Sequence, residues 1–340
     1  MTEYQPKNVL ITGVAGFIAS NVVILLTKKY PDINFIGLDK IDYCSCLENI
    51  SEIMDYPNFK FIKGDICSQD LIAFILKSEN IDTIMNYAAS SHVDGSFGNS
   101  LDYTRNNVLG VHTLLECAKF HGIGRFIAIS TDECLGEDRN DVAMDENSPL
   151  NPSNVYSATK SAGECLCNAY KHSFKMPIII TRSNNIYGKH CYPEKIIPKF
   201  INRLLRGLPL TIHGTGENMR NYLHTTDIAA AFEIILFKGV AGETYNIAGT
   251  NEYTNLEIAK TLLRLMGFQE KEDEMITFVE DRKFNDYRYH ITSSLIRSLG
   301  WEPKMGWEEG LLDTIQWYKD FGHRYEHSIE EAIQAHPTLR

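Results

Sequence analysis

The segment KNVLIT at residues 7–12 runs straight into Gly13-Val14-Ala15-Gly16-Phe17-Ile18-Ala19 and then into an apolar pattern of helical period through Val22, Val23, Leu25 and Leu26. Few folds accept a short β-rich run that turns on glycines directly into a helix. Small side chains there permit the tight turn, let backbone amides approach a pyrophosphate at the helix N-terminus, and let the helix pack closely on the strand. Ala19 fills the third small position, which the packing role tolerates. A second apolar run at 34–39, NFIGLD, closes on Asp39, roughly 20 residues beyond the turn, where a dinucleotide-binding pattern places an acid.

An acid at that place accepts hydrogen bonds from both hydroxyls of an adenosine ribose and repels a 2′-phosphate, so the expected cofactor is NAD rather than NADP. Gly13, Gly16, Phe17 and Ile18 at the turn, with Asp39 and the adjoining Lys40, are the first expected contacts. Asp65-Ile66 follows the apolar run at 59–62 and offers a carboxylate to the adenine amino group. Ala88-Ala89-Ser90 follows the run at 83–87, and its small residues let the backbone approach the dinucleotide.

β-rich runs near 8–12, 34–38, 59–62, 82–87, 125–130 and 177–181 alternate with helical patterns. That alternation specifies an α/β chain with a Rossmann-like, doubly wound parallel sheet. The cofactor domain is expected over 1–182, with a return to it near 221–250, where a helical pattern at 227–237 precedes the run at 243–247. The remainder, mainly 183–340, would form a smaller, discontinuous C-terminal lobe whose loops, rich in Asn, Gly and Tyr with isolated cations, suit a polar ligand.

At 340 residues and 44% hydrophobic content the chain can bury one large core and a smaller one. Its formal net charge of −11 argues against nucleic acid or an anionic membrane as partner. Any phosphate-bearing ligand must therefore be held by local cations. The eight cysteines lack metal-ligand spacing, since Cys44-x-Cys46 and Cys165-x-Cys167 are too close-set for zinc, so no metal is expected and the thiols read as reduced. No apolar run reaches transmembrane length and the start, Met-Thr-Glu-Tyr-Gln, is no signal peptide, which points to the cytoplasm.

The chemistry is carried by two short stretches. RFIAIS at 125–130 reads as a buried strand, so Thr131-Asp132-Glu133 falls at a strand's carboxyl end, where open α/β sheets place their ligands. Two carboxyl groups in one crowded site cannot both stay ionised, and one is expected to act as acid beside the other as base. Tyr156 and Lys160, four apart, share a helix face, which lets the ammonium hold the phenol as a proton acceptor near neutrality. That pair suits removal of a proton from an alcohol while hydride leaves. Oxidation alone would not need the two acids.

The glycine turn, Ala88-Ala89-Ser90-Ser91-His92-Val93-Asp94, Thr131-Asp132-Glu133, Tyr156-x-x-x-Lys160, Tyr192-Pro193-Glu194-Lys195, Arg220-Asn221 and Asp281-Arg282 resemble, in order and up to about Tyr318, the nucleotide-sugar 4,6-dehydratases of the extended short-chain dehydrogenase/reductase superfamily. The resemblance is greatest to the UDP-glucose and dTDP-glucose enzymes. It implies that Tyr156 takes the proton of the sugar 4-hydroxyl, Lys160 tunes that phenol and binds the nicotinamide ribose, and Thr131 bonds the same oxygen. Glu133 would remove the carbon-5 proton and protonated Asp132 would donate to the departing 6-hydroxyl, with NAD regenerated and retained. It further places Asn106 at the cofactor, and Ser90, His92, Asn185, Glu194, Lys195, Leu210, Ile212 and Asn255 at the substrate, with Arg220 and Arg282 as a pyrophosphate clamp. A homodimer is implied, built from helices near 101–120 and 154–173.

Three departures from the family pattern bear on the sugar. Cys134-Leu135 stands where relatives carry Val-Tyr, Ser90 where they carry Gln or Glu, and Ile186 where they carry a second Asn. Lost polar groups and freed volume lead to the expectation that N-acetylglucosamine competes with glucose as the sugar, UDP being favoured over dTDP and inversion at carbon 5 left open. Rival readings are a 4-epimerase, which would share NAD, Tyr156 and Lys160 without needing the acid pair, a decarboxylase, whose carboxylate substrate Asp132 would repel, and a non-catalytic NAD-binding sensor.

Overall fold

In a computed structural model, which describes residues 3–138, 141–281 and 285–335, the first half alternates strand and helix. Strands β1 (Asn8–Thr12), β2 (Asn34–Asp39), β3 (Phe59–Lys63), β4 (Thr83–Asn86), β5 (Arg125–Thr131) and β6 (Ile178–Ser183) are separated by helices that include α1 (Phe17–Lys29), α2 (Gln69–Ser78), α3 (Val111–His121) and α4 (Val155–Phe174). The second half adds β7 (Asn185–Tyr187), α5 (Ile196–Leu205), β8 (Leu210–His213), β9 (Met219–His224), α6 (Thr225–Lys238), β10 (Thr244–Ile247), β11 (Glu252–Thr254), α7 (Asn255–Leu265), β12 (Ile276–Val279) and α8 (Trp307–Phe321).

Seven strands form one sheet in the order β10-β6-β5-β4-β1-β2-β3, every pairing parallel. Strands β4 and β6 are buried at every residue, as a parallel sheet with helices on both faces requires. One face packs Val22, Val23 and Leu26 of α1 with Ile228, Phe232 and Ile235 of α6. The other packs Ile72 and Ile75 of α2, Leu114 and Leu115 of α3 and Cys167 and Tyr170 of α4. A third cluster, with Phe200, Leu210, Ile258, Leu262, Leu311 and Tyr318, is the core of the lobe. The chain thus leaves the sheet after β6 and comes back through α6 to lay β10 beside β6. Two small sheets, β11-β9-β7 and β12-β8, lie in the lobe.

The helix expected across 101–120 is present, with a change of pitch inside it. A π turn, Arg105–Gly110, leads directly into α3. The extra residue turns Asn106 and Asn107 inward together: the Asn106 amide donates to Ser90 Oγ at 2.7 Å, and the Asn107 amide donates to Ser90 O at 2.9 Å and Thr159 Oγ1 at 3.0 Å. Such turns recur where a helix must re-aim polar side chains at a site.

Candidate active site

A cavity of about 1240 Å³ opens along the carboxyl ends of the central strands and continues into the lobe. Gly13, Gly16, Phe17, Ile18, Asp39, Lys40, Asp65, Ile66, Ala88, Ala89, Ser90 and Asn106 all line it. Gly13 has φ +68°, and a Cβ there would fall 2.9 Å from both Cα and N of Ala88. Strand β4 and the glycine turn approach each other only because that side chain is missing. Asp39 braces the turn: Oδ2 accepts from the Ala15 amide at 3.0 Å, and Oδ1 from the Ile41 amide at 2.7 Å and Ser45 Oγ at 3.3 Å. Burial raises its pKa, and those amides pull it back.

At the centre of the cavity Thr131 is a hub. Its hydroxyl lies 3.2 Å from Asp132 Oδ1, accepts from the Glu133 amide at 3.3 Å, and stands beside the Tyr156 phenol, whose charged form it favours. Glu133 projects into the cavity, where the Asn154 amide donates to its Oε2 at 3.1 Å. Burial raises the Glu133 pKa, while Asn154, Lys195 and Arg220 oppose the rise. Asp132 is not among the described residues lining the cavity. It is 2% exposed, behind Thr131, with the Asn184 amide donating to Oδ2 at 2.7 Å. Burial, with the Glu133 charge adding to it, pushes the Asp132 carboxyl up to about 7. The Asp132 carboxyl, expected from sequence to donate to a sugar hydroxyl, is bonded to the Thr131 hydroxyl, and Thr131 lines the cavity.

Tyr156 and Lys160 stand one turn apart at the start of α4, whose N-cap, Asn154, forms a reciprocal capping box with Ser157. Both line the cavity. Their electrostatics differ from the expectation. Burial, then the Glu133 charge, push the phenol well above its ordinary value, and the Lys160 ammonium donates to Ile129 O at 2.6 Å. Burial also lowers the Lys160 pKa. In this arrangement burial and the Glu133 charge outweigh the pull of the Lys160 ammonium, which is directed at a carbonyl.

Toward the lobe, Lys195 is the N-cap residue of α5, at a helix N-terminus whose dipole favours an anion. Its Nζ donates to Ser91 O at 3.1 Å. The Arg220 guanidinium lies over the Tyr289 ring at 4.6 Å and donates to Asp286 O at 2.8 Å and Tyr287 O at 3.0 Å. Ser90, His92, Asn185, Glu194, Ile212 and Asn255 also line the cavity. Arg282 lies outside the described residues. Leu210 is fully buried in the lobe core and is not among the described lining residues. The other three residues of β8, Thr211, Ile212 and His213, all line the cavity.

Asn154 and Asn184, the amides that hold the two acids, carry no mark as site residues in the sequence. The first is legible as an N-cap two residues ahead of Tyr156; the second adjoins Asn185 and nothing in one sequence separates the two. Cys134 and Leu135 are likewise absent from the described lining residues. Cys134 Sγ meets Ser130 Oγ at 3.3 Å, and Leu135 packs with Ala248, Ile291, Met144 and Leu150. Outside the cavity, Asp138, Asp141 and His290 could present atoms to a metal, but the Arg288 guanidinium is already bonded to Asp141 and lies 3.7 Å from Asp138.

A family model described as GDP-mannose 4,6 dehydratase matches residues 10–314. The chain is 47% identical over 341 residues to a trifunctional UDP-glucose 4,6-dehydratase/UDP-4-keto-6-deoxy-D-glucose 3,5-epimerase/UDP-4-keto-L-rhamnose-reductase of Arabidopsis thaliana, a match covering 99% of this chain and 51% of that protein. It therefore spans about half the length of that relative. It is 43% identical over 335 residues to the dTDP-D-glucose 4,6-dehydratase of Bos taurus, covering 98% of this chain and 94% of that one. Among solved structures, the dTDP-glucose 4,6-dehydratase of Streptomyces venezuelae with NAD bound is similar at a TM-score of 0.89 and 37% identity, over 94% of this chain and 99% of that one.

Proposed function

The chain belongs to the GDP-mannose 4,6-dehydratase family of nucleotide-sugar enzymes, and we propose that it is an NAD-dependent hydro-lyase converting UDP-glucose to the 4-keto-6-deoxy sugar nucleotide. The observation that carries this reading is the Thr131 hub. It connects Tyr156, placed to take a hydroxyl proton, to a carboxyl whose pKa lies near 7, beside a second carboxyl projecting into the same cavity. Carbon-4 oxidation uses the first, and elimination across carbons 5 and 6 uses the other two.

The glycine cradle, which a Cβ on Gly13 would fill, fits a dinucleotide pyrophosphate at the N-terminus of α1, with Asp39 on the ribose and Asp65 toward the adenine. NAD, when bound, accepts hydride from carbon 4 and returns it to carbon 6. Tyr156 Oη takes the proton of the sugar 4-hydroxyl. Lys160 Nζ, directed into the cavity wall at Ile129 O, is placed to orient the nicotinamide ribose. The resulting ketone acidifies carbon 5, whose proton goes to Glu133, held in position by Asn154. Glu133 returns a proton to carbon 5 as hydride adds at carbon 6, and the proton taken up by Tyr156 balances the one that Asp132 gives to the departing water. Thr131 Oγ1 delivers a proton toward the leaving 6-hydroxyl and is resupplied by Asp132, which is half-protonated near neutral pH. Lys195 and Arg220 hold the diphosphate, with the N-terminus of α5 adding its dipole.

Glucose is favoured over its 2-acetamido analogue because Cys134 and Leu135 pack into the walls instead of enlarging the cavity. The uracil base is supported by the 47% identity to the plant UDP-glucose enzyme. The catalytic unit is proposed to be a cytoplasmic homodimer. Leu101 and Phe120 are 80% and 78% exposed, and Lys119 lies between Phe120 and Phe174 at 4.7 and 4.5 Å from their rings. Exposed apolar side chains on these helices suit burial against a second copy, and Leu101→Glu should shift the mass measured by light scattering to that of one chain. No helix among the described residues is long and apolar enough to cross a membrane.

Incubation with UDP-glucose, dTDP-glucose and UDP-N-acetylglucosamine in heavy water, followed by mass spectrometry, tests the reading. Loss of one water with deuterium at carbon 5, greatest for UDP-glucose, is expected. An unchanged mass with inverted carbon 4 would replace the dehydratase with an epimerase, and preferred turnover of the acetamido sugar would overturn the choice of glucose.

A further inference from the structure

We propose that Tyr43, which no sequence pattern marks, is a positioning residue that latches the cofactor loop to the substrate lobe through Glu194 and so couples NAD retention to occupancy of the nucleotide-sugar subsite. The inference rests on the cofactor and substrate assigned above. Tyr43 stands at the tip of a loop that is tied down at both ends. Asp39 Oδ1 accepts from the Ile41 amide at 2.7 Å and from Ser45 Oγ at 3.3 Å, and the Cys46 amide returns to Ala15 O at 3.1 Å. The loop therefore moves with the glycine turn.

From that tip the Tyr43 hydroxyl donates to Glu194 Oε1 at 3.2 Å, and the ring meets Tyr192 edge-on, centroids 5.6 Å apart at 87°. The same Glu194 oxygen lies 2.7 Å from His92 Nε2, at the end of the loop that carries Ala88, Ala89 and Ser90. One carboxylate thus joins both cofactor loops to the lobe segment. Tyr192 in turn packs edge-on against Tyr325 at 5.5 Å, and the Tyr325 hydroxyl donates to His190 O at 2.9 Å. The segment is backed by packed rings and transmits a displacement instead of absorbing it. Lys195, the next residue, sends its ammonium to Ser91 O at 3.1 Å. A diphosphate that engages Lys195 acts on the residue bonded to Glu194, and through it on the cofactor loops.

The proposed reaction returns its hydride to the sugar, so only the sugar nucleotide must exchange between turnovers. A joint that tightens on the cofactor when the lobe is occupied serves that cycle. Coupling between two sites is reciprocal: UDP must strengthen NAD binding by the same factor as NAD strengthens UDP binding.

Calorimetric titration of NAD into the cofactor-stripped full chain, with and without saturating UDP, measures that factor. In the parent, UDP is expected to tighten NAD binding about fivefold, an ordinary coupling strength. Tyr43→Phe keeps the ring on Tyr192 and removes only the bond to Glu194; the factor should fall below about twofold, and Glu194→Gln should lower it likewise. A merely structural role would weaken NAD binding and leave the factor unchanged, so an undiminished factor in both variants overturns the latch. A parent that binds NAD and UDP independently overturns the latch alone. A parent that binds neither overturns the functional reading as well.

Discussion

Replacing Asp132 with Asn should stabilise the protein above neutral pH while removing its proton reservoir. Asp132 is 2% exposed, and burial foremost, with the Glu133 charge, raises its carboxyl from 3.8 to about 7. In the unfolded chain it titrates near the ordinary Asp value, about 3.9. Folding therefore increases its proton affinity about a thousandfold, equivalent to ~4 kcal/mol. Between about pH 4 and pH 7 the unfolded state has lost a proton that the native state keeps, so stability falls as pH rises through that window. Below it both states are protonated and nothing is lost; above it the full penalty remains. Asn has the same shape, can accept the Asn184 amide through its oxygen, and never ionises. The variant should lead its parent by roughly 1–2 kcal/mol at pH 5 and ~4 kcal/mol at pH 8, read as the separation of urea unfolding curves. Parallel pH profiles for the two proteins would refute the claim that burial of this one carboxyl raises its pKa.

Gly13→Ala should leave the circular dichroism spectrum intact and weaken NAD binding at least tenfold, since a Cβ would meet Ala88 backbone at 2.9 Å in a residue held at φ +68°; wild-type affinity by titration would contradict the cradle. Asn154→Ala removes both the cap of α4 and the donor to Glu133, lowering stability by about 1 kcal/mol. Losing a hydrogen bond to the charged form also moves the acidic limb of the turnover profile to higher pH, because Glu133 must be ionised to act as base. Arg182→Met strands Glu164, whose carboxylate accepts from Nη2 at 2.8 Å with both side chains at most 5% exposed. It should cost about 3–5 kcal/mol in chemical denaturation, most of it recovered in the Arg182→Met, Glu164→Leu double variant.

The cofactor half of the site was legible because its signals are local. A glycine turn between a strand and a helix, and an acid at the end of the next strand, are bound to their neighbours in sequence, and the fold brings the expected cofactor residues to one cavity. The residues proposed for catalysis were legible as a set near one strand end, but not in their arrangement. One sequence shows Asp132 next to Glu133; it does not show that adjacent residues leaving a strand's end diverge, one into the cavity and one behind Thr131. The amides that bind those acids come from 21 and 52 residues away, so neither could be paired with its acid from spacing.

The same distinction explains the fate of the departures. Cys134 and Leu135 follow Glu133 directly, and proximity in sequence made them look like pocket walls. A 3-10 turn spans Asp132–Leu135, however, so its side chains diverge instead of sharing a face. Glu133 alone of the four reaches the cavity among the described residues. Leu135 instead meets Ala248 and Ile291, residues of the chain's return to the sheet and of the lobe. A change there acts on how the two parts pack, not on which sugar fits. Ser90 and Ile186 do line the cavity, and Ser90 is already paired with Asn106 and Asn107. Ile186 is thus the one departure that faces the cavity with no hydrogen-bonding side chain to offer a sugar hydroxyl.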